Sequence, residues 1–243
     1  MAATQGASGV ESAVVDIRQL IFAWPGQQPV IDIPALRIAQ GERVFLSGPS
    51  GSGKSTLLGL VGGVLSAGSG SVSVLGQELG DLRVAQRDRL RSDHIGFVFQ
   101  MFNLLPYLSV IENVALACRF SQRRYQRAVE RSGAIDTEAK RLLQQLDVPS
   151  GLMARKVTEL SIGQQQRVAA ARALIGAPGL VIADEPTSAL DHDLRERFID
   201  LLLTECDAAE AAVLFVSHDV SLGPLFDRQL VLAELNRAGS SHG

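Results

Sequence analysis

The sequence is poor in the residues that build disulfide frameworks and zinc sites. Its 243 residues include two cysteines and four histidines. Cys118 and Cys206 stand far apart, with no CxxC or Cys/His spacing around them, so neither kind of site is expected. This cysteine usage favours a reducing, cytosolic setting.

Long apolar runs are also missing. No stretch approaches 18 consecutive apolar residues, and residues 1–11 contain no Lys, no Arg and no apolar segment of a signal peptide. The sequence therefore predicts a chain that is neither exported nor membrane-spanning. Any role at a membrane is expected to come through a partner.

The chain carries little net charge. Lys and Arg total 23 against 26 Asp and Glu, a formal charge of -3, so binding to nucleic acid through general positive charge is not expected. A hydrophobic fraction of 46% with 20% charged residues is typical of a globular protein and excludes a disordered chain or a coiled-coil rod. The length fits one large domain, or a core with a subdomain.

Short apolar runs indicate strands that are buried on both faces, as in parallel sheets. They alternate with helical patterns, which predicts a layered α/β core. Residues 101–160 are Arg-rich and helical in period, and we interpret them as a helical insert subdomain. Residues 1–12 are small and polar and predict a flexible tail, which leaves 13–243 as the folded domain. The predicted strands are residues 43–47, 95–99, 180–183 and 212–216.

A glycine-rich segment lies between the first of these strands and an apolar helical stretch. It matches G-x-x-x-x-G-K-[ST] in the strand-loop-helix context that this motif requires, and a chance match is rare in a chain of this size. Its backbone N–H groups could curl around a β-phosphate at the positive end of the helix dipole. Lys54 would bridge the β- and γ-phosphates, and the Ser55 hydroxyl would ligate Mg²⁺. The predicted nucleotide-binding residues here are Gly48, Pro49, Ser50, Gly51, Ser52, Gly53, Lys54, Ser55 and Thr56.

Two carboxylates end the strand predicted at 180–183. Asp184 and Glu185 should point to opposite faces and so have different functions. Pro186 disfavours a helical conformation for Glu185 and is expected to keep it extended at the carboxyl edge of the sheet, where ligands of open α/β sheets bind. Asp184 is then the candidate Mg²⁺ partner, directly or through water, and Glu185 the candidate general base for a water in line with the γ-phosphate. In a chain without a phosphate loop, two such acids would more simply form a solvated turn.

Three other features allow both a structural and a functional interpretation. Ser161 and Gln164 form an S-x-x-Q capping box at the start of an Ala-rich helix, and the free N–H groups there also offer an anion site. His218 follows the last predicted strand, where it is either structural or able to reach a γ-phosphate. Trp24 is either a core aromatic or a surface on which a base stacks.

Taken in order, these motifs resemble the ATP-binding-cassette (ABC) ATPases over nearly the whole chain. The resemblance adds Gln100 after Ile-Gly-Phe-Val-Phe, the signature-like Leu-Ser-Ile-Gly-Gln at 160–164, and Ser-Ala-Leu-Asp ending at Asp191. It implies an α/β fold, a P-loop NTPase core of ABC type with a helical insert subdomain and an antiparallel β subdomain at the edge. It also implies a head-to-tail dimer of two copies with two ATPs between them. Each ATP would contact the phosphate loop of one copy and Ser161, Gly163 and Gln164 of the other.

The resemblance also implies individual roles in that dimer. Gln100 would contact Mg²⁺ and the attacking water and report to a transmembrane permease. Glu185 would activate the water and His218 would hold the γ-phosphate, which completes a catalytic set of Glu185, His218 and Gln100. Asp191 would border the nucleotide and communicate across the dimer, and Trp24 would stack on adenine in place of the usual tyrosine. The implied Mg²⁺ ligands are Ser55, Gln100 and Asp184.

The function implied is an ATP-hydrolysing motor on the inner face of the cell membrane that drives a separate permease. Residues 95–106 and the following Glu-Asn-Val-Ala at 112–115 are similar to the branch for lipoprotein release and macrolide-type efflux, so export or extrusion is expected. The alternative is an ATP-gated signalling or scaffold module of cell-division type that moves no solute. No nucleic-acid partner is expected.

Two features are particular to this chain. Ile162 stands where the family's signature usually has glycine, and because a β-branched residue disfavours positive φ, its backbone should have a negative φ. An Arg-rich run with Tyr125 interleaved lies in the insert. It is either a solvated helix face or a contact for anionic lipid or an acidic coupling helix. Its members are Arg119, Arg123, Arg124, Arg127 and Arg131.

Overall fold

Five parallel strands form the central sheet of the chain. The computed structural model describes residues 13–188, Leu190 and residues 192–239, with the side chains of His192 and Asp193 outside that description. Asp191 and the tail predicted at residues 1–12 therefore lie outside the described residues. The strand order is β6-β7-β8-β3-β9, and each neighbouring pair is parallel. The strands are β3 (Arg43–Ser47), β6 (Ile95–Val98), β7 (Leu180–Asp184), β8 (Ala212–Val216) and β9 (Arg228–Val231).

A second, antiparallel sheet packs beside the first. Its strands are β1 (Ala13–Ala23), β2 (Pro29–Ala39), β4 (Ser69–Val74) and β5 (Gln77–Glu78), in the order β2-β1-β4-β5. Ile17 of β1 stands opposite Leu36 on one side and Val72 on the other, and all three side chains are buried. Alternate residues of β1 and β2 are buried in this way, as expected of sheets with one face on a core.

The parallel sheet separates two hydrophobic cores. In β7, Leu180 and Ile182 pack with the antiparallel sheet and α1 (Lys54–Val61), whereas Val181 and Ala183 pack with helices on the other face. Side chains that alternate along a strand supply both cores, which explains why the strand is apolar throughout. The remaining helices are α2 (Val84–His94), α3 (Val110–Phe120), α4 (Gln122–Ser132), α5 (Ile135–Gln145), α6 (Ile162–Leu174), α7 (His192–Ala208) and α8 (Leu232–Leu235).

Helices α3, α4 and α5 lie within the segment interpreted as a helical insert. One of the arginines assigned to its solvated face, Arg124 of α4, is instead buried, so that assignment is wrong for this residue. Its guanidinium donates to the carbonyl oxygens of Ile95 at 2.6 Å, Ala173 at 3.0 Å and Ile175 at 3.2 Å. Burial lowers the pKa of Arg124 to about 10. Arg124 thus joins the insert to β6 and to the end of α6.

Among the residues described, no helix combines the length and the apolar character needed to cross a membrane.

Candidate functional site

The phosphate loop runs from the end of β3 to the first residue of α1. Gly51 and Gly53 have φ values of +78° and +99°, a region that side chains with a Cβ rarely adopt. Gly53 is the N-cap residue of α1, and no side chain caps the helix there. The first N–H groups of α1 consequently face the loop without a side-chain acceptor, which is the arrangement of an anion site.

Lys54 and Ser52 add polar groups to this loop. The ammonium of Lys54 donates to the carbonyl oxygens of Gly48 at 2.7 Å and Pro49 at 2.9 Å, so a positive charge lies against the loop itself. The Ser52 hydroxyl is buried and has no hydrogen-bond partner among the described residues. Such an atom costs free energy unless a bound group satisfies it.

Asp184 at the end of β7 contacts the start of α1. The Ser55 hydroxyl donates to Asp184 Oδ2 at 3.3 Å. Burial raises the pKa of the Asp184 carboxyl above its usual value, partly offset by the Ser55 hydrogen bond and reinforced by the charge of Glu185. Two oxygen ligands of the kind that Mg²⁺ prefers are thus adjacent to the loop. Within the described ranges, no group of three or more His, Cys, Asp or Glu side chains is arranged to hold a metal by itself.

Glu185 differs from its predicted conformation. Its φ is +46°, in the left-handed region, so the expectation of an extended residue is wrong. Its N–H still pairs with the carbonyl of Val216 at 2.9 Å, but its own carbonyl accepts from Ser188 N–H at 3.3 Å, which closes a tight turn. Pro186 disfavours only the right-handed helical region for Glu185, and the turn places the residue in the left-handed one. Strain of about 1–3 kcal/mol at one residue is typical of functional sites.

His218 meets Glu185 across the carboxyl edge of the sheet. Its Nδ1 lies 2.8 Å from Glu185 Oε2, and the Glu185 side chain is largely buried while the imidazole is exposed. The segment after His218 is held by Arg195 of α7, which pairs with Asp219 and donates to the Leu190 carbonyl at 2.9 Å. Arg195 was not predicted, because nothing in the local sequence indicates a contact over 24 residues.

Gln100 reaches the same edge from β6. It lies two residues beyond Val98, which pairs in register with Ala183, and its side chain is exposed in the turn after the strand. Phe102 and Asn103, shortly beyond it, both have positive φ. The structure therefore brings together, at the carboxyl edge of one sheet, the phosphate loop, Asp184, Glu185, His218 and Gln100.

The signature segment and Trp24 lie elsewhere in the chain. Ser161 caps α6: its hydroxyl accepts from Gln164 N–H at 3.3 Å, and Gln164 Oε1 accepts from Ser161 N–H at 3.0 Å. Ile162 is the first helical residue, has a negative φ as predicted, and is 55% exposed. Trp24 is 40% exposed in the turn after β1, edge-on to Phe22. In the part of the chain described, neither the signature segment nor Trp24 shares a hydrogen bond with the phosphate loop.

Gly163 completes the signature segment and lies close to Leu190. A Cβ at Gly163 would stand 3.2 Å from the Leu190 side chain. The carbonyl of Leu190 is the one that Arg195 holds, so the start of α6 packs against the segment that leads to Asp191.

A phosphate loop at a helix N-terminus, acidic residues ending a strand of the same parallel sheet and an antiparallel sheet beside it define an ATP-binding cassette. A model of the ABC transporter family matches residues 32–188, and the chain belongs to this family as an ATP-hydrolysing subunit.

Its relatives agree on this assignment. The lipoprotein-releasing system ATP-binding protein LolD of Pseudomonas syringae is 40% identical over 91% of this chain and 96% of that protein. The uncharacterized ABC transporter ATP-binding protein YbbA of Escherichia coli K12 is 41% identical over 81% of this chain and 83% of that protein. A post-hydrolysis dimer of the ATP-binding cassette MJ0796, bound to ADP and Pi, matches with a TM-score of 0.79 at 32% identity, covering 92% of this chain and 95% of that one. These names favour a transport motor over the cell-division module.

Proposed function

We propose that this chain is the ATP-driven motor of an export or extrusion system of the lipoprotein-releasing branch, working through a separate permease. The observation that carries the proposal is the grouping, at one sheet edge, of a cationic phosphate loop, a carboxylate beside a hydroxyl, and a Glu–His pair. The names of the LolD relatives support the branch.

Residues 48–56 are proposed to bind the phosphates of ATP. The N–H groups of the loop and of α1 would donate to the β-phosphate, and Lys54 would exchange its two loop carbonyls for the β- and γ-phosphate oxygens. Trp24, at the turn between β1 and β2, would stack on the adenine with its exposed face.

Ser55, Asp184 and Gln100 are proposed to hold Mg²⁺ together with phosphate oxygens. The oxygen atoms of Ser55 and Asp184 already lie within hydrogen-bond distance of each other. Mg²⁺ in nucleotide sites is commonly bound by one or two protein ligands together with phosphates and water. When bound, the ion would neutralise charge that develops on the phosphates. It would also offset the cost of keeping Asp184 ionised in a buried position.

Glu185 and His218 are proposed to act on the water and the γ-phosphate. Glu185 would accept a proton from a water in line with the γ-phosphate, while His218 Nε2, on the opposite side of the ring from the bonded Nδ1, would hold a γ-phosphate oxygen. The contact between His218 Nδ1 and Glu185 Oε2 places both side chains at the same point of the carboxyl edge of the sheet. Gln100 would orient the attacking water from the neighbouring strand.

The signature segment is proposed to complete the site of a second copy of the chain. Ser161, Gly163 and Gln164 stand at the exposed start of α6, where a helix N-terminus favours an anion. In a head-to-tail dimer this end would face the γ-phosphate bound by the partner. Asp191, which lies outside the described residues, is proposed to border that nucleotide and to communicate between the copies.

A groove beside the Gln100 loop is proposed as the docking surface for the permease. It has a volume of about 330 Å³ and lies between β6 and α3. Phe120 on its rim is 74% exposed, and Met101 in the adjacent turn is 81% exposed, which is unusual for large apolar side chains. An apolar lining that includes arginines suits an amphipathic helix that carries acidic residues. Docking there would place the chain on the inner face of the membrane. The lining includes Arg91, Phe97, Phe99, Leu116, Phe120 and Arg172.

Lys54→Ala tests the phosphate site, with Lys140→Ala as a matched control. Lys140 is exposed on α5, away from the loop, and is one of the chain's three lysines. We expect Lys54→Ala to weaken ATP binding at least tenfold by loss of a charge-assisted contact, and Lys140→Ala to leave it unchanged, as read by titration calorimetry. Equal affinities of the two variants would contradict the assignment.

Co-purification tests the partner. Tagged Glu185→Gln protein, isolated from detergent-solubilised membranes with ATP and Mg²⁺, should retain a membrane protein with a large extracytoplasmic domain. Adding Phe120→Glu to this variant should release the membrane protein, because the negative charge would disrupt an apolar contact at the rim of the groove. Recovery of soluble proteins alone, or of peptidoglycan-hydrolase activators, would contradict the motor assignment.

A further inference from the structure

The loop that follows Gln100 has a strained backbone. Phe102 and Asn103 are consecutive residues with φ of +56° and +49°. Positive φ is unusual for a residue other than glycine, especially a bulky one such as Phe, and is unfavourable in free energy. Such a conformation persists only where surrounding contacts fix it.

The Arg172 side chain contacts both of these residues. The Arg172 guanidinium donates to the Asn103 carbonyl through Nη1 and to the Phe102 carbonyl through Nη2, both at 2.6 Å. The two bonds use the planar fork of the guanidinium, which an ammonium cannot reproduce. Burial lowers the pKa of Arg172 below its usual range, so the desolvated side chain depends on these two acceptors.

The position of Arg172 connects this loop to other parts of the proposed site. Arg172 lies in α6, about three turns beyond Ser161, which caps the same helix. Arg172 and Asn103 also line the groove beside the Gln100 loop. The two bonds therefore join three features: the signature helix, the loop that carries Gln100, and the groove.

We infer that Arg172 is a positioning residue for Gln100: by holding the carbonyls of Phe102 and Asn103, it keeps Gln100 aimed at the nucleotide edge of the sheet. It touches neither substrate nor reacting water, and acts through the loop backbone. The inference rests on the role proposed for Gln100.

Arg167 provides a matched control on the same helix. It donates to the Asp147 carbonyl at 2.9 Å, and Asp147 also has a positive φ, of +61°. The two arginines thus share a helix and a kind of bond. They differ in the loop that they hold, because Asp147 follows α5 and lies outside the Gln100 loop.

A double-mutant cycle between Arg172→Met and Gln100→Ala tests the inference on the purified chain. We expect Arg172→Met to lower kcat for ATP hydrolysis at least tenfold with KM for ATP within twofold, and Arg172→Lys to recover part of that loss. In the Gln100→Ala background, Arg172→Met should lower kcat by less than a further twofold, because a group that acts through Gln100 has no effect once that side chain is removed. Arg167→Met should leave kcat within twofold. Thermal unfolding of each variant checks the fold.

The outcomes separate the inference from the role on which it rests. The positioning role would be overturned if the losses in kcat of the two single variants multiply in the double variant. It would also be overturned if Arg167→Met and Arg172→Met lose kcat equally. Neither outcome would affect the role proposed for Gln100 itself. Wild-type kcat in Gln100→Ala alone would overturn the role of Gln100, and the inference with it. If Arg172→Met fails to fold, the same cycle is run with Arg172→Lys.

Discussion

At the scale of single residues, Asp184 has a cost to stability at the proposed Mg²⁺ site. Because burial raises its pKa, the folded chain binds a proton at this carboxyl more tightly than the unfolded chain does. Its contribution to stability is therefore greatest at acidic pH and falls as pH rises above the unfolded value of about 3.9, through the higher folded pKa. At neutral pH without a bound cation, the ionised carboxylate is a cost to the fold.

Asp184→Asn should consequently stabilise the nucleotide-free chain at neutral pH while abolishing Mg²⁺-dependent turnover. We expect a gain in the free energy of unfolding of about 1 kcal/mol, the size common for such changes at active sites. Urea unfolding from acidic to neutral pH measures this gain, which should grow as pH rises.

Asp219→Asn is the control, for which the free energy of unfolding is expected to change in the opposite direction. Hydrogen bonds from Ser221 lower the pKa of Asp219, so that variant should be less stable above its unfolded pKa. Parallel profiles for Asp184→Asn and wild type would contradict this account.

Ile162 is a second residue at which the structure limits what a substitution can do. Its φ is already negative and its side chain is exposed, so neither backbone strain nor core packing depends on it. Ile162→Gly should leave ATP turnover within a few-fold and cost at most about 1 kcal/mol of helix stability. Steady-state hydrolysis and thermal unfolding measure the two effects, with Ile162→Ala as the variant that keeps a Cβ. A loss of turnover greater than tenfold would show that the isoleucine itself is tuned for function.

At the scale of elements, Arg124 joins α4 to β6 and to the end of α6. Arg124→Met would leave the carbonyls of Ile95, Ala173 and Ile175 without their donor in a buried site. Because an unsatisfied buried acceptor costs about 1–3 kcal/mol, we expect a loss of at least about 3 kcal/mol in the free energy of unfolding. Arg127, exposed one turn further along α4, is the control, and Arg127→Met should change stability by less than about 0.5 kcal/mol. Similar urea midpoints for both variants would refute the anchoring role.

Elements with a strong apolar pattern could be predicted from the sequence, and those without one could not. β3 and β8 have the predicted ends, and β6 and β7 differ from prediction by one residue. β9 was not predicted, since it has four residues, lies at the sheet edge and is only half-buried. The antiparallel sheet was expected only from the family resemblance.

Contacts that are distant in sequence explain most of what was missed in the site. The motifs at the phosphate loop and at Asp184 are local, and their spacing alone indicated a nucleotide site. The left-handed backbone of Glu185 is set by its pairing with Val216 and by the turn that follows, neither of which is visible in residues 180–186. Arg172 lies 69 residues from one of the carbonyls that it holds, so no local pattern could reveal it.

At the scale of the whole molecule, the two halves of the proposed site lie at different elements of one chain. The phosphate loop precedes α1, whereas the signature segment opens α6, and no hydrogen bond joins them in the part of the chain described. In the proposed head-to-tail dimer a second copy would complete this arrangement, with the loop of one chain facing the α6 start of the other. The nucleotide would then bridge the two copies, and hydrolysis would remove that bridge.

Glu185→Gln should therefore be a dimer in ATP and Mg²⁺. The amide cannot accept the proton from water, so turnover should fall at least a hundredfold while the nucleotide, and with it the dimer, persists. Size-exclusion chromatography with light scattering measures the mass of the eluting species and so distinguishes a monomer from a dimer. The double variant Lys54→Ala/Glu185→Gln should remain a monomer under the same conditions, because it lacks the cation proposed to hold the β- and γ-phosphates. A monomeric Glu185→Gln at saturating ATP would refute the head-to-tail arrangement, and a dimer in both variants would show an association that does not depend on the phosphate site.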